Sequence, residues 1–350
     1  MRSRRVKATN HPGAGLSNTQ SPSLEMEVSI ATLDQADSLL NRWAGESALA
    51  DPICSRSEWN FSFHEIIAPH RELHLHSSAD SVLTLAGYEH PSVGPLLEPI
   101  EAHWFFSRPL LGPNAPELLE ELLAEHRKRQ LHPCVAISGL DLEGPLLGHL
   151  LRLFAGRYEV GCLEPIRFCS ASLSGGPDGF LSRRSRKFRG NLRRAIQKGG
   201  EAGLEFERCV PPTEEQARLT FERMVAIEKT SWKGLENCGM TEEPYLTFYR
   251  SVFLRMCKNE VARAIFVSRE GRDIGFVMGG IDGICYRGQQ FSYGADWAGL
   301  SVGNLLQWEM VGWLCEGGIQ RYDLGSILDY KVHWAEIETQ SHTLVWRPTL

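Results

Sequence analysis

Three strand-like runs follow one another at residues 262–267, 274–281 and 284–294, with the dipeptides Gly271-Arg272 and Asp282-Gly283 at the two turns. Such dipeptides supply the positive-φ residues that tight hairpins need, so the runs read as an antiparallel meander. An apolar helical stretch at 302–316, closed by Gly317-Gly318, comes next, followed by the short strand Arg321-Tyr-Asp-Leu-Gly325. Upstream lie a basic helix at 180–199, a strand at 204–209 and helices at 213–229 and 245–257. Thr213-Glu-Glu-Gln216 is a capping box that opens the helix at 213–229. The second half therefore reads α-β-α-α-β-β-β-α-β.

The first half is also mixed. Residues 34–44 place Ala36, Leu39, Leu40 and Trp43 on one helical face. Strands are expected at 73–76, 82–86 and 134–138, and helices at 116–130 and 145–154. Ser174-Gly-Gly-Pro-Asp-Gly179 is the clearest punctuation. A chain of 350 residues, at about 150 per domain, divides there into residues 25–175 and 176–350. Residues 1–24 read as a disordered basic tail, with a short strand at 26–30 after it.

The net charge of −6 is unevenly spread: residues 1–180 carry −8 and the remainder +2, chiefly because eight basic side chains fall between Arg183 and Lys198. Nine cysteines without a C-x-x-C pair fit a reduced, cytoplasmic protein better than a disulfide scaffold. No signal-peptide pattern follows the N-terminal arginines. The most apolar stretch, 146–154, is interrupted by His149 and Arg152 and is far short of the ~20 residues that span a bilayer. No membrane association is expected.

Chemistry concentrates in the second half. In Ser292-Tyr-Gly-Ala-Asp-Trp-Ala-Gly-Leu-Ser-Val-Gly-Asn-Leu-Leu306 a strand gives way to a helix, with Ser301 available as N-cap. The first N–H groups of a helix lack partners and sit at its positive end, so Ser301, Val302, Gly303 and Asn304 could seat a pyrophosphate; an ordinary capped turn is the plainer alternative. Farther on, Asp323 stands in an otherwise apolar strand, and Tyr330-Lys331 follows it. A Lys331 ammonium could support an oxyanion and Asp323 could orient it; alternatively Asp323 pairs with an arginine and Lys331 is solvated. Glu228 could be a general base and Trp232 an acceptor-pocket wall, or both could be structural. The arginines of 183–194 read as a phosphate-binding face, with Arg193 facing a cofactor, or as a solvated helix surface. His64, His70, His74 and His76 cluster without a metal-ligand spacing, and no metal is expected.

The order of features over residues 180–335 resembles the CelD-like and BioF-like branch of the GNAT acyltransferase superfamily, similar in fold to Fem-type peptidyltransferases. The residues that carry it are the basic helix ending in Leu192-Arg-Arg-Ala195, Ser231-Trp-Lys-Gly234, Tyr293-Gly-Ala-Asp296, Ser301-Val-Gly-Asn-Leu-Leu306, Tyr322-Asp-Leu-Gly325 and Tyr330-Lys-Val-His-Trp334. The resemblance implies an α/β (α+β) fold of two GNAT-like domains, each a mixed, largely antiparallel sheet flanked by helices. It implies an acyl donor held between splayed strands after Gly294 and before Tyr322, with phosphates near 301–304, substrate contacts from Tyr293, Tyr330 and Trp232, and Lys331 at the carbonyl. Val302 stands where the family helix commonly opens with Pro, and Trp297 and Ala298 where GNAT loops carry Arg or Gln. The leading expectation is an N-acyltransferase that uses acyl-CoA as co-substrate, without a permanently bound cofactor, on a small amine acceptor. The alternatives are an aminoacyl-tRNA-dependent Fem-like transferase, with tRNA or an acyl carrier protein on helix 183–194, and a non-catalytic GNAT-like binding protein.

Overall fold

The computed structural model describes residues 33–45 and 51–349. The expected tail at 1–24 and strand at 26–30 lie outside them. The first half contains α1 (Leu33–Ala44), α2 (Ser57–Ile66), β1 (Glu72–Ser77), β2 (Val82–His90), β3 (Gly94–Pro99), β4 (Leu110–Leu111), α3 (Ala115–Lys128), β5 (Cys134–Leu140), α4 (Pro145–Phe154), β6 (Tyr158–Cys162) and β7 (Ile166–Ser172). The second contains α5 (Gly176–Ser182), α6 (Arg186–Glu201), β8 (Leu204–Cys209), α7 (Glu214–Lys229), α8 (Trp232–Leu235), α9 (Tyr245–Lys258), β9 (Ala262–Arg269), β10 (Arg272–Asp282), β11 (Cys285–Tyr293), α10 (Val302–Glu316), β12 (Arg321–Ser326) and β13 (Ile337–Pro348).

One topology is used twice. The meander β1–β2–β3 is followed by α3 and by β5, which lies parallel to β3; the meander β9–β10–β11 is followed by α10 and by β12, parallel to β11. The strands form a single sheet in the order β1-β2-β3-β5-β13-β7-β12-β11-β10-β9-β8, with β4 on β2 and β6 on β13. The fold is thus α/β, with two GNAT-like halves of largely antiparallel sheet flanked by helices. β13 joins the halves: residues 337–341 pair with β7, and 342–346 with β5.

Helices cover both faces of the C-terminal sheet because its strands are apolar on both sides. α2, α7 and α9 bury Trp59, Phe63, Phe221 and Phe248 against Phe266, Phe276 and Met278 on one face. On the other, Val302, Leu306 and Met310 of α10 pack with Phe180, Val277, Tyr286 and Tyr322. α2, from the first half, therefore shares a core with the second.

Thr213 caps α7 as its spacing predicts, accepting the Gln216 N–H on Oγ1 at 3.2 Å, while the Gln216 side chain returns to that same hydroxyl at 3.3 Å. The single basic helix expected at 180–199 is instead α5 and α6, broken where Ser185 caps α6 by accepting the Phe188 N–H at 3.1 Å. Arg184 falls in that break and is buried rather than solvated. Its guanidinium lies 4.1 Å from the Phe180 ring and 2.6 Å from Glu336, contacts that offset part of its desolvation.

Candidate active site

The strands β11 and β12 stay together for three rungs only, Cys285–Arg287 against Arg321–Asp323. Beyond Arg287 they diverge. Gln289 is an extra residue on β11, since Met278 pairs with Gln290 while Gly279 pairs with Gly288. A bulge of this kind bends its strand and adds twist, which here turns β11 away from β12. On the far side β12 follows β7 as far as Ser326, so the two strands form a fork.

A cavity of about 640 Å³ occupies the fork. It brings together seven residues singled out from the sequence: Ser301, Gly303, Asn304, Tyr293, Trp232, Tyr330 and Lys331. Gly303 and Asn304 open α10, and Ser301 precedes them at φ +57°. Ser301 is the N-cap, but its side chain makes no capping bond; its carbonyl takes the Asn304 N–H at 3.0 Å. Gly303 is needed for close approach, because a Cβ there would stand 3.0 Å from the Phe291 ring and 3.1 Å from that of Tyr293. Phe291 and Tyr293 thus face α10. Gln290, on the opposite face, pairs with Tyr249 of α9 and also lines the cavity. The cavity is therefore lined from both faces of the sheet, by the start of α10 on one and by Trp232 and Lys233 of α8 on the other.

Lys331 lies in the short helical turn Lys331–His333 after β12. Its Nζ donates to the Ser326 carbonyl at 3.0 Å. Burial, reinforced by the Arg287 cation, pulls its pKa down to about 8. Burial also pushes the Tyr330 phenol up to about 12, so it stays protonated as a hydrogen-bond donor. Tyr330 stands 5.6 Å from the Phe291 ring, across the gap.

The other four predicted residues do not line the cavity. Glu228 is fully buried: its Oε1 meets Lys233 Nζ at 3.0 Å and accepts the Met240 N–H at 3.3 Å. A carboxylate so engaged holds α8 in place, and it has no open path to an acceptor amine. Val302 is a core residue, because it is the α10 position that faces the sheet. Arg193 is exposed on α6, away from the cavity. Asp323 points behind the fork, where its Oδ1 accepts the Gly325 N–H at 2.7 Å and lies 3.8 Å from Arg287 Nε. Burial raises the Asp323 carboxyl, and Arg287 opposes that rise.

Lys233, Gln307 and Trp334 are among the cavity residues that escaped sequence reasoning. Lys233 reaches the Phe291 carbonyl at 3.1 Å and Gln290 Oε1 at 3.4 Å. Gln307 accepts the Tyr322 hydroxyl, and Trp334 is a further lining residue. Lys233 and Trp334 sit inside motifs quoted above, so adjacency to Trp232 and Lys331 was the available signal; nothing marks Gln307. A groove of about 780 Å³ between residues 210–214 and the end of α9 contains none of the predicted residues. Among the described residues no three His, Cys, Asp or Glu side chains stand together as a metal site, and no helix is long and apolar enough to cross a membrane.

Residues 186–332 match the family described as "Acetyltransferase (GNAT) domain". No curated protein matches the sequence. Among solved structures, a conserved protein of unknown function from Bacteroides thetaiotaomicron VPI-5482 is 10% identical, with a TM-score of 0.62 over 92% of this chain and 99% of that one. FemX is 11% identical, with a TM-score of 0.63 over 89% and 95%. L-PGS from Bacillus licheniformis is 13% identical, with a TM-score of 0.58 over 90% and 91%. At these identities the likeness is one of fold, and it extends across both halves. Residues 186–332 form a GNAT acetyltransferase domain, and the chain is an acyltransferase of GNAT/Fem-like fold.

Proposed function

We propose that the chain is an N-acyltransferase that moves an acyl group from a coenzyme A thioester onto the amine of a small molecule or amino acid derivative. The observation that carries the reading is the fork cavity, lined from both faces of the sheet with the Lys331 ammonium on its wall. Such a lining suits two substrates that approach from opposite faces. The donor enters beside Ser301, Gly303 and Asn304, where the Gly303 N–H at the positive end of α10 favours phosphate. The acceptor enters beside Trp232 and Gln290. The neutral amine attacks the carbonyl carbon, the C–N bond forms, and the C–S bond breaks as the tetrahedral intermediate collapses. The thiolate leaves with the sulfur's electron pair, and the amine gives up one proton to solvent. The Lys331 cation offsets the negative charge that develops on the carbonyl oxygen, a contribution largest in a desolvated site. Tyr293 and Tyr330 wall the acyl group, and Asp323 orients the fork from behind. The nine cysteines, all free thiols, accord with a reducing cytoplasmic setting.

A second reading is favoured by α6. Arg186, Lys187, Arg193 and Arg194 share an exposed face, and Lys198 ties that helix to the donor side through the Gly299 carbonyl at 2.7 Å. A donor attached to a polyanion, such as an aminoacyl-tRNA or an acylated carrier protein, would lie along it. Purified protein incubated with amine acceptors and either acyl-CoAs or charged tRNA separates the readings. Free thiol released in step with amide supports the first. Amide formed only from charged tRNA, abolished by ribonuclease and steeply salt-dependent, supports the second.

A further inference from the structure

Segment 51–58 belongs to the first half in sequence but packs across β10 and β11. Ile53 fits against Gly280, where a Cβ would stand 2.9 Å from Ile53 Cδ1. Arg56 pairs with Asp282 at 2.5 Å, and Asp51 Oδ2 meets Arg287 Nε at 2.5 Å. Asp51 Oδ1 accepts the Cys54 N–H at 3.0 Å, which fixes the carboxylate. Asp51, Arg287 and Asp323 are respectively 2%, 4% and 7% exposed, so little water screens them.

Arg287 stands at the last rung before the strands part, directly opposite Asp323. We propose that Asp51 is a positioning residue of the acyl-transfer site, acting through Arg287 to set the charge of Lys331, so that the first half of the chain completes the chemistry of the second. The inference rests on the reading of Lys331 given above. The Arg287 guanidinium packs against Gly325, where a Cβ would stand 2.5 Å from Nη2, and Lys331 Nζ donates to the carbonyl of the next residue, Ser326, at 3.0 Å, so the two cations flank one short stretch of β12. Asp323 from β12, Cys169 from β7, Asp51 from segment 51–58 and the Tyr330 ring, 5.8 Å from Nζ, complete the surroundings of the ammonium. Arg287 and Asp51 are decisive. A guanidinium keeps its proton in proteins, so of the two neighbouring cations Lys331 is the one that yields. Asp51 neutralises part of the Arg287 field, and that neutralisation keeps Lys331 protonated near neutral pH.

The test needs no substrate. The full chain is pulsed with acetic anhydride at a series of pH values, and modification of Lys331 is read by mass spectrometry. The wild-type midpoint is expected near 8. Asp51→Asn leaves Arg287 uncompensated and moves the midpoint down by about one pH unit; Arg287→Gln moves it up by about as much. Arg287→Lys keeps the charge and stays close to wild type. Opposite shifts from the two partners of one ion pair are not produced by loosened packing. Should Asp51→Asn fail to fold, Asp323→Asn removes a second nearby negative charge and shifts the midpoint in the same direction. Shifts of equal sign, or none, in folded variants overturn the inference and leave the reading of Lys331 intact. Full turnover by Lys331→Ala removes that reading and leaves the electrostatic coupling standing.

Discussion

The Arg287 guanidinium occupies the space in which a side chain at residue 325 would begin: a Cβ on Gly325 would lie 2.5 Å from Arg287 Nη2 and 2.6 Å from Cζ. Gly325 also has φ +77°, a conformation costly for residues with a Cβ. The glycine lets β12 turn over the buried cation at the fork. Gly325→Ala is expected to destabilise the protein by about 1–3 kcal/mol, from strain and displacement of Arg287 together, measured as a lower urea midpoint. An unchanged midpoint would show that the fork relaxes freely.

Glu228 and Lys233 form a pair whose carboxylate is fully buried. Glu228→Gln strands the ammonium and is expected to cost about 3 kcal/mol. Glu228→Leu combined with Lys233→Met should recover much of that loss. If the single variant keeps wild-type stability yet loses turnover, Glu228 is a base after all.

Lys331 should give kcat a descending limb. An ammonium that supports an oxyanion is present below its pKa and lost above it, so the rate is expected to fall as pH rises through about 8. Lys331→Arg stays charged and should lack that limb. Lys331→Ala should lose on the order of 10²-fold in kcat, with its circular dichroism spectrum unchanged. A limb that persists in the arginine variant assigns it to another group.

The histidines of the first half predict an acid sensitivity. Burial holds His74 down at about 4 and lowers His76 as well. The unfolded chain takes up these protons near 6.5, before the folded one does. Their contribution to stability is therefore present above 6.5 and lost as pH falls from 6.5 through 4. The thermal midpoint should drop across that window, and His74→Gln should flatten the drop. Equal slopes in the two proteins would remove His74 as the cause.

What could be read in the sequence was whatever depends on neighbours along the chain. The hairpin at Asp282-Gly283, the cap at Thr213 and the apolar stripe of α3 are local, and they form where their spacing places them. The Ser301–Asn304 turn and Tyr330-Lys331 are likewise short segments whose side chains converge once β11 and β12 part. Long-range pairing left no such mark. β7 and β13 are mixed polar strands whose partners are distant, and neither carries a clean alternation. Arg184 looks like a surface charge because its partner, Glu336, becomes a neighbour only in the fold. Asp51 is the extreme case, since its partner Arg287 is 236 positions away.

β13 also determines how the molecule comes apart. Its residues 342–346 hydrogen-bond with β5, some two hundred positions earlier, while 337–341 hold β7 against the β12 edge of the fork. Removing that strand would expose a raw edge on each half at once, so the stability of each half is coupled to that of the other. A contact of such sequence separation is reached late in folding and ties the completed fork to the arrival of a single segment.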